Sequence, residues 1–330
     1  MIACVVPAYR ARDSVRSVVE SLLAVSDLVV VVDDGCPDRS GDVVRRAFVG
    51  DPRVAVLQRE RNGGVGAAMK TGIEHCLAVG ADVIVKVDAD GQMDPSFVPH
   101  LAACLEHNRS IGFVKGNRFA SESVLRRMPP VRLIGNSLLS ILVKFASGYW
   151  NLLDPTNGFV AFRAETLRDI PWERFADSYF FETSVLGELG LANVPIGEVE
   201  MPTIYGTEQS SLSIRRVALE FPPKLLRMFL RRMLLHYFLF DVNLGSIYIF
   251  FGLLFALAGI TIGGIEWFQT LHTGHVRTAG TVMLAVLPTL IGFQLLSNAL
   301  MYDVQFAPKT VRERAMRAKD RDSTLLRRLG

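Results

Sequence analysis

Apolar positions in the first 200 residues come in short unbroken runs. Residues 2–6 (IACVV), 28–33 (LVVVVD), 54–58 (VAVLQ), 82–88 (DVIVKVD) and 111–116 (IGFVKG) are rich in Val and Ile and lack the alternation of a half-exposed sheet. Such runs predict strands covered on both faces, as in a parallel sheet. Segments with helical spacing lie between them, at 14–24 and 66–79, and predict crossover helices. The expected fold class is α/β, with ligands at the carboxyl ends of the strands. After Arg118 the pattern changes. Met128-Pro129-Pro130 breaks the chain, 131–150 predicts an apolar amphipathic helix, Asp154-Pro155-Thr156-Asn157-Gly158 a turn, 159–162 a short apolar run and 194–201 a late strand.

The last third follows a different pattern. Residues 214–232 alternate Arg and Lys with Leu, Phe and Met, which predicts helices lying in a membrane interface, split in two by Pro222-Pro223. Two uncharged stretches follow, 246–265 and 279–302, each long enough as a helix to cross a hydrocarbon core of roughly 30 Å. The expected organisation is a large N-terminal domain over 1–212, interfacial helices over 213–235, a two-span membrane region over 236–303 and a basic tail over 304–330. Gly252, Gly259, Gly263 and Gly264 leave room for packing between protomers, so a homo-oligomer is compatible with the first span.

Composition agrees with this division. Of 330 residues, 50% are hydrophobic and 21% charged, and the mean hydropathy of +0.28 is high for a wholly soluble chain. Residues 215–330 carry a formal +8 within a total of +3, leaving −5 for residues 1–214. The basicity is thus a membrane-flank signal, worth about 1 kcal/mol per cation beside anionic headgroups, and gives no support to a nucleic-acid partner. Both flanks of the spans are rich in Lys and Arg, whereas the connector at 266–278 holds only Arg277. The positive-inside rule then places the large domain and the C-terminal tail on the cytosolic side of the cytoplasmic membrane. Cys4, Cys36, Cys76 and Cys104 have no metal-ligand spacing and are expected to be reduced thiols. No basic n-region precedes the first apolar run, so no secretory signal is expected.

Three polar motifs stand at predicted strand ends. In Val87-Asp88-Ala89-Asp90-Gly91-Gln92, an extended chain would point Asp88, Asp90 and Gln92 to one side. Such oxygens suit Mg²⁺ or Mn²⁺ bound together with a substrate diphosphate; a surface turn is the plain alternative. An EF-hand fails on spacing, with Met93 and Pro99 where Gly and Glu belong. In Val32-Asp33-Asp34-Gly35-Cys36-Pro37-Asp38 the carboxylates can accept from a base or ribose, or simply cap the next helix. Asn62-Gly63-Gly64-Val65-Gly66-Ala67-Ala68-Met69-Lys70 opens a helix whose N-terminus and Lys70 can approach a diphosphate. It is neither a dinucleotide fingerprint, which belongs after the first strand, nor a P-loop.

Taken in order, VVPAYR, VVDDGCPDRS, NGGVGAAMKTG, VDADGQ, GNRF and DPTNGF resemble the family 2 glycosyltransferases of GT-A fold. The likeness is strongest to the polyprenyl-phosphate glycosyltransferases, of the dolichol-phosphate mannose synthase and bactoprenol glucosyltransferase type, over about residues 1–212. The resemblance implies a nucleoside pocket lined by Pro7, Tyr9, Asp33 and Asp34, and a D-x-D-x-Q metal and diphosphate motif at Asp88, Asp90 and Gln92. It also implies that Arg118 and Arg132, with Asn136 nearby, hold a lipid phosphate. Asp154 falls where a base has been placed in related enzymes, and Glu182 is a further candidate carboxylate. Two departures stand out: Arg10-Ala11 follow Tyr9 where many relatives carry Glu, and the late loop at 203–211 lacks the usual Arg before Gly-x-Ser.

The implied reaction moves a sugar, with inversion, from a nucleotide-diphospho-sugar to a polyprenyl phosphate at the bilayer surface. Two other functions stay open from the residues alone: transfer to a hydroxyl of a glycolipid or lipid-linked saccharide, and a catalytically silent membrane scaffold that binds nucleotide sugar.

Overall fold

The computed structural model of the chain describes residues 1–118, 130–201 and 214–314. The late loop at 203–211 lies outside them. Two compact units are present, Met1–Met228 with Pro308–Gly330, and Phe229–Ala307.

The first unit is built on an 8-stranded mixed sheet of order β3-β2-β1-β4-β6-β5-β7-β8. Strands β1 (Ile2–Ala8), β2 (Leu28–Asp34), β3 (Val54–Arg59) and β4 (Val83–Lys86) are mutually parallel. They are joined through α1 (Val15–Leu22), α2 (Ser40–Ala47) and α3 (Val65–Ala78). The apolar runs form strands because both faces are covered: every residue of β2 and of β4 is buried. At the sheet's edge β3 is only partly buried. Chain order runs outward from β1 in one direction through β2 and β3, then returns to β4 on the other side. This switch opens a crevice at the carboxyl ends of β1 and β4.

The second half departs from an all-parallel sheet. The run after the DPTNG turn becomes β6 (Val160–Arg163), antiparallel to both β4 and β5 (Phe113–Asn117). It enters the sheet from the opposite end because the long excursion through α5 (Pro130–Ser147) returns the chain at the carboxyl ends. The late strand is β7 (Ile196–Glu200), parallel to β5. Helices α4 (Val98–His107), α6 (Ala164–Asp169) and α7 (Phe181–Leu191) belong to this half.

The expected basic tail is not all tail. Thr310–Arg314 forms β8, parallel to β7 at the sheet edge. Alternation explains it: Val311 packs against the core cluster and Glu313 accepts from Asn108 at 2.8 Å on one face, while Arg312 meets Glu198 on the other.

Pro222-Pro223 do not split their segment: one helix, α8 (Ile214–Leu234), runs through both. The pair removes two N–H donors. Packing on either side holds the axis: Phe221 meets Phe180 edge-on with ring centroids 5.1 Å apart, Leu225 is buried, and the side chain of Met228 lies against Gly187.

The second unit contains two helices long and apolar enough to cross a membrane, α9 (Leu244–Thr273) and α10 (Ala279–Gln305). Asn243 caps α9 in a reciprocal box with Ser246, and Gly274 ends it at φ +66°. Gly252 and Gly259 face the second helix within this hairpin: a Cβ would stand 2.9 Å from Leu296 or 2.3 Å from the Thr289 hydroxyl. Gly264 opens onto free space. Arg232 grips Asp303 with both terminal nitrogens, at 2.7 and 2.9 Å, and Tyr237 donates to the same carboxylate at 2.6 Å.

Candidate active site

The crevice between β1 and β4 leads directly to Asp88. β4 ends at Lys86, and Val87 still donates to the Val5 carbonyl at 3.0 Å. Residues 88–92 then turn instead of extending, with Gly91 at φ +76°. The same-side argument for Asp88, Asp90 and Gln92 therefore does not apply, because strand geometry has already ended. The turn brings the Gln92 N–H onto Asp90 Oδ1 at 3.0 Å. Asp88 is partly buried, whereas Asp90 and Gln92 face solvent. Among the described residues no group of three or more His, Cys, Asp or Glu side chains is arranged to hold a metal.

Asp88 has a partner that sequence reasoning missed. Lys86, fully buried within β4, donates to Asp88 and lies 3.2 Å from Glu182 Oε1 on the first turn of α7. Burial alone would depress the lysine pKa; the two carboxylates outweigh it and hold it above the ordinary value. Glu182 thus joins the Asp88 cluster. A signal was present: Lys in an otherwise apolar strand must be paired, since a buried ammonium without a counter-charge is very costly.

The β2 end is wired differently. Asp33, fully buried, accepts from the Cys36 and Gly41 N–H groups at 2.8 and 2.7 Å and from Gln58 at 3.2 Å. Asp34 accepts from Arg59 at 2.8 Å, from Gly63 at 3.0 Å and from Gly64 at 2.8 Å. The helix-capping alternative is therefore present for Asp33, while Asp34 shapes the glycine loop. Gly64, at φ +96°, could carry no side chain, because a Cβ would stand 2.6 Å from the Asp177 carbonyl. Asn62 accepts from the Gly64 N–H at 3.0 Å. Pro7 lies within β1, and Tyr9, 41% exposed, follows it on the loop into α1. Lys70 is placed elsewhere than expected. It pairs with Asp177 at 2.7 Å and lines a shallow cleft of about 440 Å³ with Arg59, Arg61 and Trp172, a cleft that includes neither Asp88 nor Asp90.

At the end of β5 stands a second charged cluster. Arg118 donates through Nε and Nη2 to the two oxygens of Asp154, at 2.8 and 3.1 Å, and its own N–H reaches the same carboxylate at 3.2 Å. Asp154 is fully buried; burial would raise its pKa, but hydrogen bonds and charge from Arg118 carry it below the usual carboxylate range. The expected base is thus ionised yet locked in a bidentate pair. Thr156 donates to Asp154 at 3.1 Å and accepts from Arg118 at 3.2 Å. Asn136 lies half-buried on α5; Arg132 is on the first turn of that helix, with its side chain outside the described atoms.

The loop carrying Asp154 is pinned along its length. Glu198 accepts from the N–H groups of Leu153 and Asp154 at 2.9 and 3.1 Å. Lys115 donates to the Asn157 carbonyl at 2.5 Å, and Asn157 donates to the Gly116 carbonyl at 2.7 Å. Sheet register explains the convergence. Lys86 is opposite Val160, Val160 opposite Lys115, Lys115 opposite Glu198 and Glu198 opposite Arg312. Directly opposed residues share a face, so one row of mostly charged side chains crosses β4, β6, β5, β7 and β8. Lys115 sits midway, its pKa pushed down to about 8 by burial despite Glu182 and Asp154. The cysteines take no part: all four are free and buried, with the Cys4, Cys76 and Cys104 thiols pushed up to about 12 by burial.

Comparison with known proteins bears on what such a site does. The chain is 28% identical over 223 residues, covering 64% of this chain and 88% of the relative, to a UDP-N-acetylglucosamine–dolichyl-phosphate N-acetylglucosaminyltransferase of Methanococcus voltae. It is 35% identical over 179 residues, 52% of this chain and 72% of the relative, to an undecaprenyl-phosphate mannosyltransferase of Micrococcus luteus. A polyprenol monophosphomannose synthase of Mycolicibacterium smegmatis matches at 30% over 169 residues, 50% of this chain and 63% of the relative. The Glycosyl transferase family 2 profile matches residues 3–170, which take in the β1–β4 crevice, the Asp88 turn and the Arg118–Asp154 pair, and the chain belongs to that family of glycosyltransferases.

Proposed function

We propose that the protein transfers one sugar from a nucleotide-diphospho-sugar to a polyprenyl phosphate at the cytosolic membrane surface, with inversion at the anomeric carbon. The observation that carries this reading is the pair of charged clusters at the carboxyl ends of β4 and β5, the two strands that flank β6. One is built on Asp88, Lys86 and Glu182, the other on Arg118 and Asp154. Three relatives named for transfer to dolichyl, undecaprenyl or polyprenol phosphate support it.

The donor enters the crevice between β1 and β4, with its nucleoside toward Pro7 and Tyr9 and the rim that Asp33, Asp34 and Asn62 shape. Asp88 and Asp90 would hold Mg²⁺ or Mn²⁺. Two carboxylates completed by diphosphate oxygens and water are an ordinary donor set for these ions, which supply charge neutralisation to a leaving diphosphate. Lys86 fixes Asp88 from behind and balances Glu182. Lys70, held by Asp177, is left out of the diphosphate site.

Arg118 presents the acceptor phosphate, with Arg132 and Asn136 assigned to the same task. A phosphate monoester has a second pKa of about 6, so the nucleophilic oxygen is already anionic at pH 7. No base is required, and Asp154 serves instead to orient Arg118. This separates the reading from transfer to a hydroxyl, which needs an available base worth about 10²–10⁴ in rate. The two apolar helices would keep the domain at the bilayer where the lipid phosphate lies.

The test is direct. Purified protein in detergent is incubated, in parallel arms, with undecaprenyl phosphate or with a glycolipid bearing free hydroxyls, together with Mg²⁺ or Mn²⁺ and a panel of nucleotide sugars, and the lipids are read by mass spectrometry. A glycosyl-phosphoryl-polyprenol with at least one donor is expected. Sugar attached only to a hydroxyl acceptor would replace the acceptor assignment, and absence of both transfer and donor hydrolysis would favour a silent scaffold.

A further inference from the structure

The strand that follows the last apolar helix reaches the candidate acceptor site through two side chains. Arg312 of β8 donates to the Asn151 carbonyl at 2.7 Å, where the Asp154 loop begins. Its Nε lies 3.4 Å from Glu198 Oε2. The other oxygen of that carboxylate accepts from both Leu153 and Asp154, at 2.9 and 3.1 Å. Asp154 in turn holds Arg118 by two parallel bonds. A continuous chain of contacts therefore runs from β8 through Glu198 and the loop backbone to Arg118.

We propose that Arg312 and Glu198 are positioning residues for acceptor binding, so that Arg118 takes up its phosphate-holding geometry only when β8 is docked on β7. The inference rests on the reading of Arg118 as the acceptor-phosphate ligand.

The physical case begins with Glu198. It is fully buried, and burial pushes its carboxyl pKa up. A buried carboxylate that organises two backbone N–H groups needs a cation to remain ionised there, and Arg312 is opposite it in register. Without β8, the β7 edge opens to water, which can replace Leu153 and Asp154 as donors to Glu198. The loop then loses its fixed direction, and with it the orientation of Asp154 toward Arg118. On the opposite face of β8, Glu313 accepts from Asn108 at 2.8 Å. That contact anchors the strand without touching the loop and supplies an internal control.

The experiment uses the full chain in detergent and compares R312A, R312K, E198A, E198Q and E313Q with wild type. Two readouts are taken: steady-state KM for undecaprenyl phosphate and for the donor, and hydrogen exchange of the backbone at 151–158. R312A and E198A are expected to raise the acceptor KM about tenfold or more, with the donor KM unchanged. Exchange at Leu153 and Asp154 should accelerate about tenfold in the same variants while β1 and β4 stay protected. R312K and E198Q, which keep a donor or an acceptor in place, should recover most of the loss. E313Q, which keeps an oxygen to accept from Asn108 and so keeps β8 docked, should leave the acceptor KM unchanged.

If E198A fails to fold, R312A carries the test alone, since the Arg312 side chain is half exposed and leaves no large cavity. Unchanged exchange at Leu153 and Asp154 in R312A would overturn the proposal. So would an equal rise in donor and acceptor KM across R312A and E313Q, the pattern of a strand that only stabilises the sheet. If the wild type transfers nothing to a polyprenyl phosphate, the functional reading fails instead, and the exchange data still decide whether Arg312 and Glu198 hold the loop.

Discussion

The two halves of the sheet handle charge in opposite ways. In β1, β2 and β3 the strand interiors are apolar, and the acids at the end of β2 are satisfied by backbone N–H groups, Gln58 and Arg59. From β4 onward, buried charges occupy the last residue of β4, Lys86, and the middle of β5 and β7, at Lys115 and Glu198. The first half uses carboxylates to hold backbone N–H groups of its loops; the second pairs buried ions with one another. A polar side chain at a strand end is thus ambiguous between structure and chemistry. A charged side chain within a buried strand has to be explained by its partners.

The sharpest way to break this contrast is to remove charges from the second half. Asp88→Ala or Arg118→Ala should lower transfer by at least about 10³-fold with the fold retained, as expected when a transition-state electrostatic group is lost. Circular dichroism and product mass spectrometry check both parts. Lys86→Met should follow, with about a 10²-fold loss, because Asp88 and Glu182 then face each other without the intervening cation. Its signature is a raised donor KM with an unchanged acceptor KM. Asp154→Asn should keep measurable turnover, within about tenfold to a hundredfold of wild type, since it weakens the support of Arg118 without removing a required base. Collapse equal to that of Asp88→Ala would instead make Asp154 a base.

Smaller effects sharpen the comparison through stability. Lys115 faces Glu182, Asp154, Arg118 and Lys86, with a pKa near 8 against an ordinary 10.5. Between those values the unfolded chain binds the proton that the folded chain has released. Folding stability therefore gains from this group as pH rises from 8 to 10.5, by up to about 1.4 kcal/mol per pH unit. Lys86 has the opposite sign: its raised pKa gives stability present below the unfolded value and lost as pH rises through the folded one. Thermal melts from pH 7.5 to 10 should show a positive contribution that Lys115→Met removes. In the first half, Asp33→Asn should cost about 1–2 kcal/mol in denaturant titration by weakening charge-assisted bonds to Cys36 and Gly41.

The sequence was most legible where one physical rule acted alone. Continuous Val and Ile runs located β1, β2 and β4, because burial on both faces leaves no competing pattern. The direction of β6 was not legible: four residues with no alternation carry no orientation, which depends on where α5 returns the chain. The Pro222-Pro223 break was overruled by packing of Phe221, Leu225 and Met228. At the site, the motifs located Asp88, Arg118 and Asp154 but not Lys86, the partner of Asp88. Lys86 pairs with Glu182 and Glu198 with Arg312 across nearly a hundred residues or more, the first pair brought together by the placement of α7 and the second by the register of β8 on β7.

The position of β8 also has a consequence in time. About 110 residues, including both long apolar helices, separate the end of β7 from the start of β8. At roughly 5–20 residues per second, a ribosome needs on the order of 5–20 s to make them. During that interval the nascent domain carries an open β7 edge with a buried-type glutamate on it, a surface able to pair with another strand. Synthesis of the apolar hairpin and closure of the sheet are therefore successive events, and delay in the first prolongs the exposure of the β7 edge.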